Sequence, residues 1–318
     1  MIPTWKALNI IKGMLTSVPV LDAWRLKRAA TGGSNSARYC YAVWLRHLVV
    51  LDRHGFSAKA AVVGELGPGD SIGTGFAALL SGAERYVGLD LVPYSNKADL
   101  RMILTQLAGM YSAREPIPNH DEFPNVRPRL PSYDYPANLV HSGGVANTVA
   151  RISADLANGL HRGDCVRYSA PWVSVDDVAQ GSLDLLFSQA VLQYLDNMDS
   201  AYRTMFAWLK PGGYCSHAVG LGAMHLSPFW NGHWAYSDLE WRLLRGRRQV
   251  VPNRQPLSAH LSAARGAGFD VVDVDPQLAT NGLDISELAP RFRTLDPADL
   301  STSGAMIVLR KPQRTAER

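Results

Sequence analysis

The sequence predicts an α/β fold built on a mostly parallel β-sheet, and three observations lead to this prediction. Short apolar runs of strand length alternate with stretches of helical periodicity through most of the 318 residues. The first of these runs ends in glycine and proline, as expected where a buried parallel strand passes into a helix. A strand, a glycine-rich turn, a helix and a second strand follow one another within about thirty residues, the length of a right-handed βαβ unit.

Helices are predicted before the sheet begins, and residues 1–58 are interpreted as an N-terminal helical cap. Trp5, Leu8 and Ile11 recur at helical spacing, and a second helix is expected around residues 36–52. The apolar face of the first helix fits two positions: packed over the main domain, or in peripheral contact with a membrane surface. No apolar run reaches the roughly eighteen residues of a transmembrane helix, and a cleavable signal peptide is not expected.

The main domain, residues 59–318, is predicted to contain the sheet and its covering helices. Helices are expected over residues 72–80, within 139–160 and over 200–209, where K-P-G-G at 210–213 ends the last of them. Strands are expected over seven segments: residues 61–66, 86–91, 165–168, 182–187, 214–219, 269–274 and 305–309.

A proline-rich insertion interrupts this pattern at residues 112–136. It contains the sequence PIPNHDEFPNVRPRLPSYDYP, which is too long and too often broken by proline for an ordinary connection. We interpret it as an inserted lid or substrate loop.

Composition and charge narrow the functional classes. Hydrophobic residues make up 47% of the chain, enough for a substantial core, and the formal net charge is +4. No basic stripe interleaved with aromatic residues accompanies that charge, so nucleic-acid binding is not predicted. The three cysteines, Cys40, Cys165 and Cys215, lack the C-x-x-C spacing of zinc and redox sites. We therefore expect no metal site and a cytoplasmic location.

The turn after the first strand carries the residue types of a nucleoside-cofactor site. In the sequence GELGPG, Glu65 precedes Gly67 and Gly69, and glycines here let the backbone approach a ligand that the next helix start can bind. A nicotinamide site would need glycine at position 72, which is Ile72. Glu65 would instead face the amino group of a methionine moiety, and Asp90 would accept hydrogen bonds from ribose hydroxyls. The pattern therefore predicts S-adenosylmethionine rather than NAD.

The order of the motifs GELGPG, GLD, SLDLLFSQAVLQYL and WLKPGGY over residues 62–221 resembles class I S-adenosylmethionine-dependent methyltransferases. The resemblance implies a Rossmann-like, seven-stranded sheet whose last strand is antiparallel. The chain departs from the family pattern at two places. The third strand is followed by Ser169 and Ala170 rather than an acidic residue, and Gln193 and Tyr194 replace a common Glu-His pair.

Four residues match the cofactor positions of that family. The resemblance implies that Glu65, Gly67 and Gly69 line the methionine end of S-adenosylmethionine and that Asp90 holds its ribose. Ser188, in the fourth-strand motif, is expected at the same cofactor site.

The segment after the fifth strand, residues 220–256, is interpreted as the substrate loop. It resembles bacterial methyltransferases associated with surface polysaccharides, which implies a sugar or glycan-linked acceptor. A sugar hydroxyl has a proton to lose, and a histidine is a suitable general base. His225 lies in this loop and is the predicted catalytic residue.

Five further residues are candidates for binding the acceptor. Trp230, His233 and Trp234 combine aromatic faces with hydrogen-bonding groups, as a carbohydrate or a flat polar ligand requires. Asn253 and Arg254 could bind a carboxylate or phosphate, because arginine offers a planar fork to oxyanions. Two structural alternatives stay open: a buried aromatic wedge for the first group and an ordinary surface turn for the second.

Other functions remain compatible with the sequence. The acceptor could be a small metabolite or a lipid headgroup, methylated at oxygen or nitrogen. A catalytically silent, cofactor-binding scaffold is the alternative from a different class, because the third-strand site and the Glu-His pair are altered. The sequence does not define the oligomeric state.

Overall fold

A single seven-stranded sheet organises the structure. The computed structural model describes residues 3–16, 33–93, 98–141, 144–161, 163–172, 175–248 and 250–313. The strand order is β3-β2-β1-β4-β5-β7-β6. The strands are β1 (Val62–Leu66), β2 (Arg85–Leu89), β3 (Val166–Ser169), β4 (Leu183–Gln189), β5 (Leu209–Gly220), β6 (Asp270–Leu278) and β7 (Thr302–Arg310).

Strands β1 to β5 pair in parallel, whereas β7 runs antiparallel to both of its neighbours, β5 and β6. The predicted Rossmann-like α/β fold, with seven strands and an antiparallel last strand, is confirmed. This topology brings the carboxyl ends of β1, β2, β4, β5 and β6 to one edge of the sheet, together with the start of β7. Ligands of open α/β sheets bind at this edge.

The start of β5 differs from the prediction. The preceding helix ends at Trp208, and the K-P-G-G motif lies within the first part of the strand instead of before it. Leu209 pairs with Leu183, and Tyr214 then pairs with Leu185. The extra residues of β5 form an irregular bulge, which Gly212 can enter because it adopts a φ of +82°.

Helices cover both faces of the sheet. Those of the described chain are α1 (Thr4–Leu15), α2 (Ala37–Asp52), α3 (Gly73–Leu80), α4 (Leu100–Ala113), α5 (Val145–Asn158), α6 (Met198–Trp208), α7 (Asp238–Arg245) and α8 (Leu257–Gly266). Helices α2 to α5 pack on one face in a core that includes Val63 and Phe187. Helices α6 and α8 pack on the other face, against Leu66 and Leu186.

The two N-terminal helices occupy different places. Helix α2 is buried in the main core, where Trp44 Nε1 donates a hydrogen bond to Ser81 Oγ over 2.8 Å. Helix α1 lies against α7, and a Cβ at Gly13 would collide with the Leu244 carbonyl. Residues 17–32 fall outside the described residues, and the domain boundary at residue 58 remains a prediction. No helix in the described part of the chain is long and apolar enough to cross a membrane.

The insertion at residues 112–136 is held on helix α2. Arg46 is fully buried, and its guanidinium donates hydrogen bonds to the carbonyls of Pro118, Asn119 and Val126 over 2.6–2.8 Å. On the exposed side, Arg38 of α2 forms ion pairs with Glu115 and Glu122. The insertion therefore has a defined path across α2. Its first two residues end helix α4, and residues 114–136 contain no helix or strand.

Candidate functional site

Two glycines shape the turn between β1 and α3. Gly67 and Gly69 adopt φ angles of +63° and +75°, a region that side chains disfavour. The N–H of Gly67 donates to the carbonyl of Leu89 over 2.8 Å, and a Cβ at Gly67 would lie 2.6 Å from Val191 Cγ2. Glycine is therefore required at position 67 by both conformation and space, and the turn stays open toward the edge of the sheet.

Glu65 lies on β1 immediately before this turn and is buried. Tyr86 donates a hydrogen bond from its hydroxyl to Glu65 Oε2 over 2.5 Å. Burial raises the pKa of the Glu65 carboxyl to about 8, with the charge of Asp90 adding to the rise and the Tyr86 bond opposing it. In the ligand-free protein this carboxyl is protonated at neutral pH. A cation beside it would favour the ionised form.

Asp90 directly follows β2, and its carboxylate connects the turn after β2 with the turn after β1. Its Oδ2 accepts a hydrogen bond from the N–H of Gly69 over 3.2 Å, and its Oδ1 accepts one from Leu91 over 2.8 Å. Burial raises the pKa of Asp90, while these backbone bonds oppose the rise. The carboxylate lies one strand away from Glu65, because β1 and β2 are neighbours in the sheet.

A cavity of about 330 Å³, open mouth included, lies in front of Glu65. Helix α2 and the segment before it form one wall, which the sequence did not predict. The lining residues are Gly33, Ser34, Tyr39, Val43, Glu65, Gly67, Pro68, Gly69, Thr74 and Gln189. These residues fit the methionine end of S-adenosylmethionine, because they offer a buried carboxyl for the cationic amino group and turns open to close backbone approach. Asp90 is not part of this lining, but it accepts a hydrogen bond from the lining residue Gly69 and is the candidate for the ribose.

A buried histidine orients Gln189 in this cavity. His47 Nε2 lies 3.1 Å from Gln189 Oε1, and His47 Nδ1 lies 2.7 Å from Ser216 Oγ. Burial lowers the pKa of His47 to about 4, so the ring is neutral. It therefore donates to Gln189 and accepts from Ser216, which leaves the amide nitrogen of Gln189 for a ligand.

Ser188 faces away from the cavity. Successive side chains of a strand point to opposite faces, and Ser188 Oγ lies 2.8 Å from Nδ1 of His217 on β5. Burial lowers the pKa of His217 to about 3. A contact between Ser188 and the cofactor stays a prediction, which its side chain does not support.

The predicted general base, His225, is exposed. It lies in a short 3₁₀ turn, Met224–Leu226, directly after β5. The carbonyl of Leu226 fixes this turn by accepting hydrogen bonds from Asn9 Nδ2 and from the Tyr236 hydroxyl. His225 is therefore accessible at the edge of the sheet where β5 ends.

The aromatic residues of the substrate loop form a packed cluster. Trp234 is fully buried, its Nε1 donates to the carbonyl of Arg254 over 3.0 Å, and its ring stacks on Phe292. His233 is also buried, and burial lowers its pKa to about 3. Trp230 packs edge-on against Trp234 and is half-buried. This arrangement corresponds to the buried-wedge alternative, and only Trp230 of the three retains exposed surface.

Asn253 and Arg254 are engaged by the chain itself. Asn253 Nδ2 donates to the carbonyls of Leu192 and Leu195. Arg254 donates to the Tyr236 carbonyl and to Asp238, and its guanidinium lies over the rings of Trp241 and Phe292. Both terminal nitrogens of the fork that suggested oxyanion binding are thus engaged internally, and Nε is buried without a hydrogen-bond partner among the described residues. Acceptor binding by these two residues stays a prediction that their internal contacts do not favour.

The family comparison concerns the centre of the chain. Residues 157–216 match the model of a family described as a methyltransferase domain. This segment extends from the end of α5 through β3 and β4 into β5. A search of curated proteins finds no match to the chain.

Several solved structures are similar to the chain at low identity. A S-adenosylmethionine-dependent methyltransferase from Mesorhizobium loti is 16% identical, with a TM-score of 0.40, over 82% of this chain and 96% of that one. Phosphoethanolamine N-methyltransferase 2 of Haemonchus contortus, in complex with S-adenosyl-L-methionine, is 16% identical, with a TM-score of 0.42, over 85% and 53%. Geranyl diphosphate C-methyltransferase of Streptomyces coelicolor is 10% identical, with a TM-score of 0.43, over 84% and 78%.

Proposed function

We propose that this S-adenosylmethionine-dependent methyltransferase methylates a hydroxyl group of a sugar or glycan-linked acceptor, with His225 as general base. The observation that carries the proposal is the position of His225. It is exposed on the loop after β5, whereas His217 and His233 are buried. An imidazole is suited to take the proton that a sugar hydroxyl loses on methylation.

Glu65 and Gln189 of the cofactor cavity, and Asp90 beside it, each have a task in this proposed reaction. When bound, S-adenosylmethionine would supply an electrophilic methyl group: the acceptor oxygen would bond to the methyl carbon as the carbon–sulfur bond breaks and the thioether leaves, and His225 would take the hydroxyl proton. Glu65 binds the amino group of the methionine moiety, Asp90 binds the ribose, and Gln189 presents its amide nitrogen toward the acceptor side. Acceleration then depends on holding the acceptor hydroxyl in line with the methyl group.

Backbone strain supports placing the acceptor at the ends of β4 and β5. Ala190, directly after β4, has a φ of +57°, and Met224, next to His225, has a φ of +53°. Non-glycine residues in this region cost about 1 kcal/mol or more and cluster at functional sites. Both residues are exposed and lie where β4 and β5 end, the edge of the sheet at which we place the acceptor.

The acceptor class can be tested by labelling. The protein would be incubated with methyl-labelled S-adenosylmethionine and an extract of its own cells, and label would be measured in polysaccharide, lipid, small-molecule and protein pools. Label in the polysaccharide or sugar pool that disappears with Asp90→Ala would support the proposal. Label in the lipid or metabolite pool would contradict the sugar acceptor, and cofactor binding without any label would favour the silent scaffold.

Removing the general base gives the first prediction. His225→Ala is expected to slow methyl transfer about 100-fold or more, because positioned acid–base groups contribute at least that much, while cofactor affinity stays unchanged. Single-turnover rates and calorimetric titration would measure the two quantities. His161→Ala, another exposed histidine, is the matched control. An unchanged rate in His225→Ala would argue for an acceptor, such as an amine, that needs no base here.

We also propose that α1 and α7 contact an anionic membrane surface. Leu8, Ile11 and Leu15 of α1 and Leu239 and Leu243 of α7 are 39–64% exposed on two packed helices. The exposed cations Lys12 and Arg242 lie on the same helices, whereas the acids of α7, Asp238 and Glu240, are paired with Arg254 and Lys6. Within the part of the chain that the structure describes, Lys12 and Arg242 form no ion pair, and apolar side chains beside such cations complement the boundary of an anionic bilayer.

Vesicle sedimentation tests this contact. Binding to vesicles of phosphatidylserine and phosphatidylcholine is expected to exceed binding to phosphatidylcholine alone. The double variant Leu8→Asp, Ile11→Asp should lose it. Ile285→Asp, which changes an equally exposed apolar residue elsewhere, should retain it. Loss of binding in both variants, or binding in neither vesicle type, would refute the contact.

A further inference from the structure

A second cavity opens at the same edge of the sheet, on the acceptor side. It measures about 810 Å³, open mouth included, and lies where β6 ends and β7 begins. Its wall is formed by Arg127 and Arg129 of the insertion, by Asp275 and Gln277 of β6, and by Ala305 and Met306 of β7.

The register of the sheet relates this cavity to the cofactor cavity. Gln189 is paired with Ala218 of β5, and Ala218 is paired with Met306 of β7. Side chains of paired residues lie on the same face, so Gln189 and Met306 share a face two strand spacings apart. This separation is roughly 10 Å between the two Cα atoms. An acceptor held in the second cavity therefore needs to extend over roughly 10 Å to reach Gln189 at the cofactor cavity.

The positive charge of the second cavity is only partly balanced. Arg127 Nε donates to Gln277 Oε1 over 2.9 Å, which fixes the guanidinium at the cavity wall. Among the described residues, neither its terminal nitrogens nor Arg129 form an ion pair or hydrogen bond. Asp275 is the one acid of the wall, and it is exposed.

The positive charges around Arg127 favour the binding of an anion at this point. Burial lowers the pKa of Arg127, and the charge of Arg129 lowers it further, whereas Asp275 opposes the change. Arg46 is a third cation nearby: the charges of Arg127 and Arg129 lower its pKa, after burial, and its guanidinium lies over the Tyr133 ring. A ligand that brings negative charge to this point would relieve the repulsion among the guanidinium groups.

We propose that Arg127 and Arg129 bind an oxyanion of the acceptor, a phosphate or a carboxylate, while the hydroxyl to be methylated lies beside Gln189 and His225. Guanidinium groups bind both oxyanions through paired hydrogen bonds. The inference rests on the proposed function and makes it more specific. The acceptor is an acidic sugar or a sugar phosphate, not a neutral glycan.

Site-resolved protection of arginine measures this binding without turnover. The full chain would be treated with phenylglyoxal in the presence of inorganic diphosphate or of glucuronate, and the modification of each arginine would be followed by mass spectrometry. Half-protection of Arg127 and Arg129 is expected at about 1–10 mM. Protection by diphosphate at the lower concentration would identify a phosphate acceptor, and protection by glucuronate would identify a carboxylate. The exposed Arg265 should remain unprotected. No protection, or equal protection of Arg265, would overturn the inference.

Variants separate this inference from the proposed function. Arg129→Gln and Arg127→Gln should bind diphosphate at least 10-fold more weakly, bind S-adenosylmethionine as the unaltered chain does, and raise KM for the acceptor with little change in kcat. Arg129 is exposed, so its variant keeps the test valid if Arg127→Gln disturbs the insertion. Protection without any methyl transfer would keep the oxyanion site and reject the proposed acceptor chemistry. A labelled acceptor without an anionic group, or an unchanged KM, would reject the oxyanion site alone.

Discussion

Glu65→Gln is expected to weaken S-adenosylmethionine binding roughly 100-fold, because a buried hydrogen bond between charged groups is lost. The same variant should be more stable than the unaltered chain when no ligand is bound. Burial raises the pKa of Glu65 from 4.5 to about 8, so the folded protein holds this proton more tightly than the unfolded chain does. The free energy of unfolding therefore decreases as the pH rises above about 4.5, and this decrease is complete above pH 8. Glutamine at position 65 does not ionise, so the variant should not show this pH-dependent loss of stability.

Two measurements check the Glu65 prediction. In thermal unfolding without ligand at pH 8, Glu65→Gln should have a higher midpoint than the unaltered chain. The midpoint should rise by roughly 2–4 °C for each kcal/mol gained in the free energy of unfolding. At pH 6 the rise should be smaller. Titration calorimetry at pH 7 in buffers of different ionisation enthalpy should show release of nearly one proton on cofactor binding, and none in the variant. Affinity of the unaltered chain should rise with pH up to about 8.

Glu84→Gln is the control for this variant. Glu84 is exposed and lies just before β2, so its substitution should change neither the unfolding midpoint nor the proton release. A lower midpoint for Glu65→Gln at pH 8, or proton release that persists in that variant, would show that the carboxyl is not held protonated in the ligand-free protein.

Arg46→Met is expected to lower the free energy of unfolding by about 3–5 kcal/mol. The side chain is fully buried, and its guanidinium satisfies the carbonyls of Pro118, Asn119 and Val126. Methionine fills much of the volume but donates no hydrogen bond, so these carbonyls lose their partner. Urea denaturation would measure the loss.

The matched control for Arg46 lies two turns earlier on the same helix. Arg38 holds the insertion through exposed ion pairs with Glu115 and Glu122, and Arg38→Gln should cost at most about 1 kcal/mol. Limited proteolysis adds a local measure, because residues 112–136 should be cleaved faster in Arg46→Met than in Arg38→Gln. Equal stability of the two variants would mean that the buried guanidinium does not anchor the insertion.

The strands and the cofactor turn were predictable because their signals are local. Each strand of the sheet lies at a predicted apolar run, and Glu65, Gly67, Gly69 and Asp90 fall where strand ends must meet. Parallel strands place their carboxyl ends at one edge, so a motif at the end of β1 and an acid after β2 had to be neighbours.

The wall formed by helix α2 was not predictable in this way. Its periodicity indicates which side chains are buried, but not the element they pack against. Tyr39 and Val43 line the cofactor cavity only because α2 crosses in front of β1 and β4, and His47 reaches Gln189 for the same reason. These are properties of the tertiary arrangement.

The residues predicted to bind the acceptor also show that residue type alone does not define tertiary contacts. Trp234 and Arg254 have the side chains of a binding site, but those side chains serve equally well in an internal cluster. Partners from the chain itself, Tyr236 and Asp238, occupy Arg254. Arg127 had no distinguishing signal within its proline-rich segment, because its partner Gln277 comes from a distant strand.

Helix α2 lines the cofactor cavity and also holds the insertion that forms part of the second cavity. Its first turn lines the cofactor cavity through Tyr39, while Arg46 fixes the insertion that carries Arg127 and Arg129. Any free energy that one ligand contributes by ordering this helix is available equally to the other, since coupling between two sites is reciprocal. We therefore expect binding at the two proposed sites to be coupled to the extent that either ligand orders α2.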